Sequence, residues 1–227
     1  MIKIIKQTKV MNNEHFLLLI LIPVFFASCN AAKIYTKPNA MTYATKHKTL
    51  AILPPRVNIE VKKKDNLENT QAQETVESVN AQDTMNSRFL DFVQKGNMYV
   101  DIQTIEETNA IFEELGYPYN MPPKKLAEAL GVDAILYADC VYSKKSAVAL
   151  GIVFAIMTFP YGTAFGVLFA ENGQITADVN VKLYDGTTGY LLYNYYKKLN
   201  SITTQEYDRL IDNATKEMVK KSPYYRK

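Results

Sequence analysis

The sequence predicts an α/β domain, a mixed sheet of about five strands with flanking helices, interrupted by one apolar insertion. Three observations carry that prediction. Short apolar runs with strand character recur from Thr49 to Tyr184. Helical patterns separate the early runs, as in units whose strands are joined through crossover helices. The last two runs are separated only by Asp185-Gly-Thr-Thr-Gly189, which has turn chemistry and makes them an antiparallel hairpin.

The first run, Thr49-Leu-Ala-Ile-Leu-Pro-Pro55, is apolar and stopped by proline, as a buried strand would be. Val57, Ile59 and Val61 alternate with Asn58 and Glu60 and continue it after a bend. Residues 66–95 contain no proline and place Val76, Val79, Met85, Phe89, Phe92 and Val93 at helical spacing, with Gly96 as the stop. Tyr99 to Gln103 reads as a strand. Thr104 and Glu107 match a capping box for a helix ending before Gly116 and Pro118. Pro122-Pro123 opens a short helix closed by Gly131.

Val132 to Tyr142 is apolar enough for a central strand. Ile175, Ala177, Val179, Val181 and Leu183 alternate with Thr176, Asp178, Asn180 and Lys182, so the next strand has one apolar side. Tyr190 to Leu199 returns. A second capping box, Thr203 and Glu206, starts a helix with Tyr207, Leu210, Ile211, Ala214 and Met218 on one face.

The insertion, Ser146 to Ala170, is 25 residues without a charge. Small residues recur every four places, at Ala147, Gly151 and Ala155 and again at Gly162, Gly166 and Ala170. On a helix that spacing makes a stripe where backbones approach closely. Pro160-Tyr161-Gly162 breaks the segment near its middle. These features favour a helical hairpin. Large and small residues also alternate here, which suits a strand instead. Either way, Gly151, Ala155, Gly162 and Gly166 are candidates for membrane contact or self-association, because so much apolar surface usually marks a membrane or a partner; a buried part of the domain's own core is the other reading.

The N-terminus carries a targeting signal. Lys3, Lys6 and Lys9 precede an uncharged run of 13 residues, Phe16 to Ser28, shorter than the ~20 a spanning helix needs. The run closes on Phe26-Ala-Ser-Cys29, which resembles the lipobox of bacterial lipoproteins. That resemblance implies transfer of a diacylglycerol to the Cys29 thiol, cleavage before Cys29 and acylation of the new amine, with palmitate-type chains. Asn30 follows instead of the Asp that retains enterobacterial lipoproteins in the inner membrane, which implies the outer membrane. Residues 1–28 are then the signal, 29–47 a polar tether, and 48–227 the domain containing insertion 146–170.

Cleavage removes three lysines and one glutamate, taking the net charge from +3 to +1. A near-neutral domain gives no electrostatic footprint for nucleic acid. With Cys29 acylated, Cys140 is the one thiol left, in phase with Leu136, Ala138 and Tyr142 as a buried strand residue. His47 is the one histidine after the signal, with no carboxylate or cysteine grouping in sequence that would make a metal site or a triad. No cofactor is called for.

Three stretches together resemble a family of bacterial surface lipoproteins related to the CsgG-like lipoproteins of curli secretion and to the N-terminal domain of TolB. They are Met121-Pro-Pro-Lys-Lys-Leu-Ala-Glu-Ala-Leu-Gly-Val-Asp-Ala-Ile-Leu-Tyr137, the hairpin Val181 to Tyr193, and Leu50-Ala-Ile-Leu-Pro-Pro55. The resemblance implies a CsgG- or TolB-N-like fold and a periplasm-facing outer-membrane lipoprotein. It implies no catalytic residue, a role in envelope transport, secretion or assembly, and association as an oligomer or with an envelope partner. The chain has no pair of long amphipathic segments of the kind CsgG sends across the membrane, which speaks against a pore of that type. A small-ligand or nucleotide-binding module is the alternative, since α/β sheets offer crevices at the carboxyl ends of their strands. No glycine-rich phosphate loop accompanies it.

Overall fold

The computed structural model describes residues 31–60, 67–144, 153–155, 158–159, 162–163, 166–168, 175–202 and 204–226. The signal, Cys29 and Gly151 lie outside the described residues. Residues Ala32–Lys227 form one compact unit.

The main sheet has seven strands: β1 (Lys33–Thr36), β2 (Thr49–Ile52), β3 (Arg56–Glu60), β4 (Asp101–Ile102), β5 (Ala134–Lys144), β10 (Ile175–Asp185) and β11 (Leu191–Ile202). Their order is β1-β11-β10-β5-β2-β4, with β3 also on β5. Pairings β2–β4, β2–β5 and β3–β5 are parallel, whereas β5–β10, β10–β11 and β11–β1 are antiparallel. β2 and β3 run in succession along β5, against Ala134–Leu136 and then Asp139–Ser143. The bend between them is Leu53-Pro54-Pro55, where the prolines supply no ladder donor. Gln82, buried in the long helix α2 (Leu67–Gln94), donates to the Ile52 carbonyl at 2.9 Å beside this bend.

Alternation along the strands assigns the two faces. Leu136, Ala138, Cys140 and Tyr142 of β5, with Val179, Val181 and Leu183 of β10 and Tyr193 and Tyr195 of β11, form one core. Met85, Phe89 and Phe92 of α2 and Ile211, Met218 and Val219 of α5 (Thr204–Lys221) belong to it. Ala51, Leu53 and Ile135 face the other way, onto Phe112 of α3 (Ile105–Glu114) and Leu126, Ala127 and Leu130 of α4 (Pro123–Leu130). Helices therefore cover both faces.

Local signals act as their chemistry dictates. Thr104 caps α3, its side chain accepting from the Glu107 N–H at 3.2 Å. Gly131 ends α4 at φ 67°, the left-handed conformation that glycine adopts without penalty. Gly186, in the β10–β11 turn, lies so close to α4 that a Cβ there would sit 2.7 Å from the Ala127 Cβ and from the Asp133 carbonyl oxygen.

Two regions differ from the sequence-based expectation. Residues 33–47, expected as a tether, build β1 and the short helix α1 (Ala40–Ala44), with Ala40, Ala44 and His47 buried. All four β1 residues are exposed, so this edge strand lacks the alternation that marks a half-buried one. The insertion, expected as a helical hairpin, is extended wherever it is described: β6 (Val153–Ala155), β7 (Thr158–Phe159), β8 (Gly162–Thr163) and β9 (Gly166–Leu168). Val153 pairs with Leu168, Ala155 with Gly166 and Phe159 with Gly162, all antiparallel. Every step inward on one side is matched by an equal step on the other, so the two ladders share one register. A four-residue repeat is also a multiple of two, so the small residues that suit a helix stripe equally suit one side of a strand. Alternating large and small residues match the extended form. Among the described residues no helix is long and apolar enough to cross a membrane.

The phase of β10 is testable. Val181 is buried, whereas Lys182 faces the opposite side and sits 3.5 Å from Asp139. Val181→Asp buries an unpaired charge and should cost about 3 kcal/mol or more. Lys182→Ala should cost under about 1 kcal/mol. Equal shifts in melting temperature for the two variants would contradict this assignment.

Candidate functional site

Of the residues singled out from the sequence, Cys29 and Gly151 lie outside the described residues, and the strands bring Ala155 opposite Gly166. Gly162 stands opposite Phe159. These three small residues belong to a single antiparallel register, without any helix–helix contact.

A second constellation was invisible in the sequence. His47 lies between Asp185 and Tyr224, with Nε2 2.8 Å from the Asp185 Oδ1 and Nδ1 2.6 Å from the Tyr224 hydroxyl. In the neutral ring, Nε2–H donates to the carboxylate and Nδ1 accepts from the phenol. The second Asp185 oxygen accepts from the Thr188 N–H at 2.7 Å and from the Thr188 hydroxyl. Burial pushes the Asp185 carboxyl up. Hydrogen bonds from Thr188 and His47 outweigh that, so it lies below the usual carboxylate range. Burial drives the Tyr224 phenol well above its ordinary value. His47 is 5 %, Asp185 3 % and Tyr224 0 % exposed, so the three groups are enclosed by the protein. Their chemistry is structural: they join the segment after α1, the β10–β11 turn and the C-terminal tail. Asp133 fixes the same segment by accepting from the backbone N–H groups of Lys48 and Thr49 at 2.7 and 3.1 Å.

A concave surface lies elsewhere among the described residues. A cavity of about 600 Å³ is lined by Arg56, Tyr117, Tyr119, Asn120, Met121 and Lys125, together with two prolines. The loop between α3 and α4 builds most of it. Tyr119 packs edge-on against Phe112, ring centroids 5.0 Å apart, and the Arg56 guanidinium stands 5.6 Å from its ring centre. Arg56 also pairs with Asp139 at 2.6 Å, which Lys182 approaches from the other side. Tyr117 is 54 % exposed and holds φ 55°, uncommon for a side chain of that size. Behind the loop, Tyr137 meets Tyr184 edge-on at 5.5 Å, and burial pushes its phenol up to about 12. Cys140 is enclosed in the main core, where burial pushes its thiol up to about 12. Among the described residues no group of three or more His, Cys, Asp or Glu side chains is arranged to hold a metal.

No family model matches the chain, and no curated protein matches it. It is similar to solved structures at low identity. The lipoprotein GNA1162 from Neisseria meningitidis is 12 % identical with a TM-score of 0.44, over 77 % of this chain and 99 % of that one. The PelC dodecamer from Paraburkholderia phytofirmans is 9 % identical with a TM-score of 0.38, over 87 % and 99 %. The C-terminal domain of LpoB from Salmonella enterica is 9 % identical with a TM-score of 0.29, over 67 % and 82 %. At these scores the likenesses assign neither a family nor a function.

The buried network sets a pH-dependent contribution. The folded Asp185 carboxyl lies below its ordinary value of 3.8, so its stabilisation is fully present above 3.8 and is lost as pH falls through the lower, folded value. Asp185→Asn should lower stability at neutral pH and remove this group's share of the acid loss. His47→Phe leaves Asp185 and Tyr224 buried without their partner and should cost about 2–4 kcal/mol in thermal unfolding at pH 7. A His47→Phe protein within about 0.5 kcal/mol of wild type would show that the network carries no stability.

Proposed function

We propose that the chain is a lipid-anchored lipoprotein of the cell envelope, without catalytic activity. It assists transport, secretion or assembly at the outer membrane as an oligomer, with its body facing the periplasm. One observation carries the reading: a basic start, an uncharged run and Ala27-Ser28 immediately before Cys29. Two or three acyl chains hold a protein firmly on a bilayer, since each buried CH₂ contributes roughly 0.8 kcal/mol. The apolar segment with Ala155, Gly162 and Gly166 on paired strands supplies the surface for membrane contact or self-association.

Among the described residues, the histidine and the cysteine are both committed to the interior. His47 spends both ring nitrogens on buried partners. Cys140, with its thiol at about 12, supplies no thiolate at neutral pH. Mass spectrometry of the mature protein is the test. We expect an acylated Cys29 at the N-terminus and an uncleaved or unanchored product from Cys29→Ser. An unmodified N-terminus at any other residue would sink the lipoprotein reading.

The cavity beside Arg56 and Lys125 favours a second reading, a small-ligand or nucleotide-binding module. Its volume is of ligand size, and both charged residues in its lining are cationic. On this reading a nucleotide panel should contain a compound that raises the melting temperature of wild type but not of Arg56→Ala. A flat response across the panel removes it.

A further inference from the structure

We infer that β1 is the docking edge for a second copy of this chain, the two β1 strands pairing antiparallel about a twofold axis at Tyr35. The inference names a surface for the oligomer of the proposed function and rests on that reading only in expecting one. Its own support is the backbone of the edge.

β1 ends the sheet, with β11 on one side and no strand on the other among the described residues. One hydrogen bond tells which backbone groups face outward. The Lys37 N–H donates to the Leu192 carbonyl at 2.8 Å, continuing the register in which Thr36 stands opposite Tyr193. Antiparallel pairs alternate between exchanging both bonds and exchanging none. Lys33, Tyr35 and Lys37 therefore turn their N–H and C=O groups toward β11, whereas Ile34 and Thr36 turn theirs to the free edge. Unpaired groups so spaced are a template for another strand.

The sequence of β1 complements itself. Setting Ile34 opposite Thr36 of the second copy, and Thr36 opposite its Ile34, satisfies every outward group of both strands. Tyr35 then meets its own copy across the axis, in a pair that exchanges no hydrogen bond and whose Cα atoms lie about 4.5 Å apart. Exposed apolar side chains gather at the same edge. Of the eight large hydrophobic residues exposed among the described ones, Ile34, Tyr35, Met41 and Tyr190 are four. Ile34 and Tyr35 are on β1, and Met41 is on α1, which follows it. Tyr190 has the Lys37 ammonium 4.7 Å from its ring centre and meets Tyr43 of α1 edge-on. Such clustering marks a contact with a partner. Charge opposes it: the register sets Lys33 opposite Lys37 of the second copy, and like charges directly opposite are destabilising. The contact is also small, so the dimer is weak in solution and strengthens with added salt.

The test uses the full chain, oxidised in the cells that make it and run on a non-reducing gel. Tyr35→Cys should trap a disulfide dimer, because the pair across the axis falls within the roughly 4.4–6.8 Å that a disulfide spans between Cα atoms. Wild type, whose Cys140 is buried, is the control for native thiols. Ile34→Cys should trap at least about fivefold less, since its own copy lies two residues out of register. In the Tyr35→Cys background, Thr36→Pro removes an outward N–H and no bond to β11, so it should abolish trapping with unchanged circular dichroism. Lys33→Glu gives the answer by gain: it turns both like-charge pairs into opposite ones and should raise trapping about threefold or more at low salt. Light scattering of the purified Lys33→Glu chain should give twice the chain mass at high concentration. No Tyr35→Cys dimer above wild type, equal trapping at Ile34→Cys, trapping that Lys33→Glu leaves unchanged or lowers, a disulfide to a different protein, or self-association without the Tyr35→Cys cross-link would each overturn the inference. If the dimer is trapped but native Cys29 proves unmodified, the lipoprotein reading fails and this one stands. If Cys29 is acylated and no dimer is trapped, the reverse holds.

Discussion

Eleven consecutive residue pairs between β5 and β10, from Ala134↔Asp185 to Lys144↔Ile175, run without a shift in register. Because side chains alternate with a period of two, a slip of one residue would turn Leu136, Ala138, Cys140 and Tyr142 out of the main core and Ile135 out of the second. The same ladder positions Asp185 to meet His47 and fixes the end of the sheet from which 146–170 departs. β2 and β3 on one flank and β11 on the other read their own register from it. Faces and buried polar network are in this sense one constraint.

Much of this core is legible in the sequence because it is encoded locally. Alternation at Ile175 to Leu183 names the buried side of β10, and the Asp185–Gly189 turn names its partner. Gly131 and Thr104 mark helix ends through conformations and side-chain bonds that depend on near neighbours. β1 is illegible for the opposite reason. Its Lys, Ile, Tyr and Thr are all exposed, and the pairing that makes them a strand is with residues 193–196. The insertion misleads because spacing by four satisfies a helix and a strand alike.

The candidate sites divide along the same line. Cys29 is recognisable from its immediate neighbours. His47 looked isolated because Asp185 and Tyr224 are 138 and 177 residues away. No carboxylate near it in sequence hints at the pairing. The cavity joins Arg56 from the start of β3 to a loop some sixty positions later, through a side chain whose other partner, Asp139, is later still.

The pairing of β1 with β11 also carries a consequence for how the molecule comes into being. The strand made first joins the strand made almost last, and the histidine just behind it waits for a tyrosine close to the C-terminus. The sheet therefore cannot be closed at this edge while the chain is still emerging from the ribosome. Contacts of such sequence separation are slow to form. β1 is thus translated before every other strand described here, yet it can be paired only after residues 193–196 have followed it, while β2, β3, β5 and β10 need nothing from that edge.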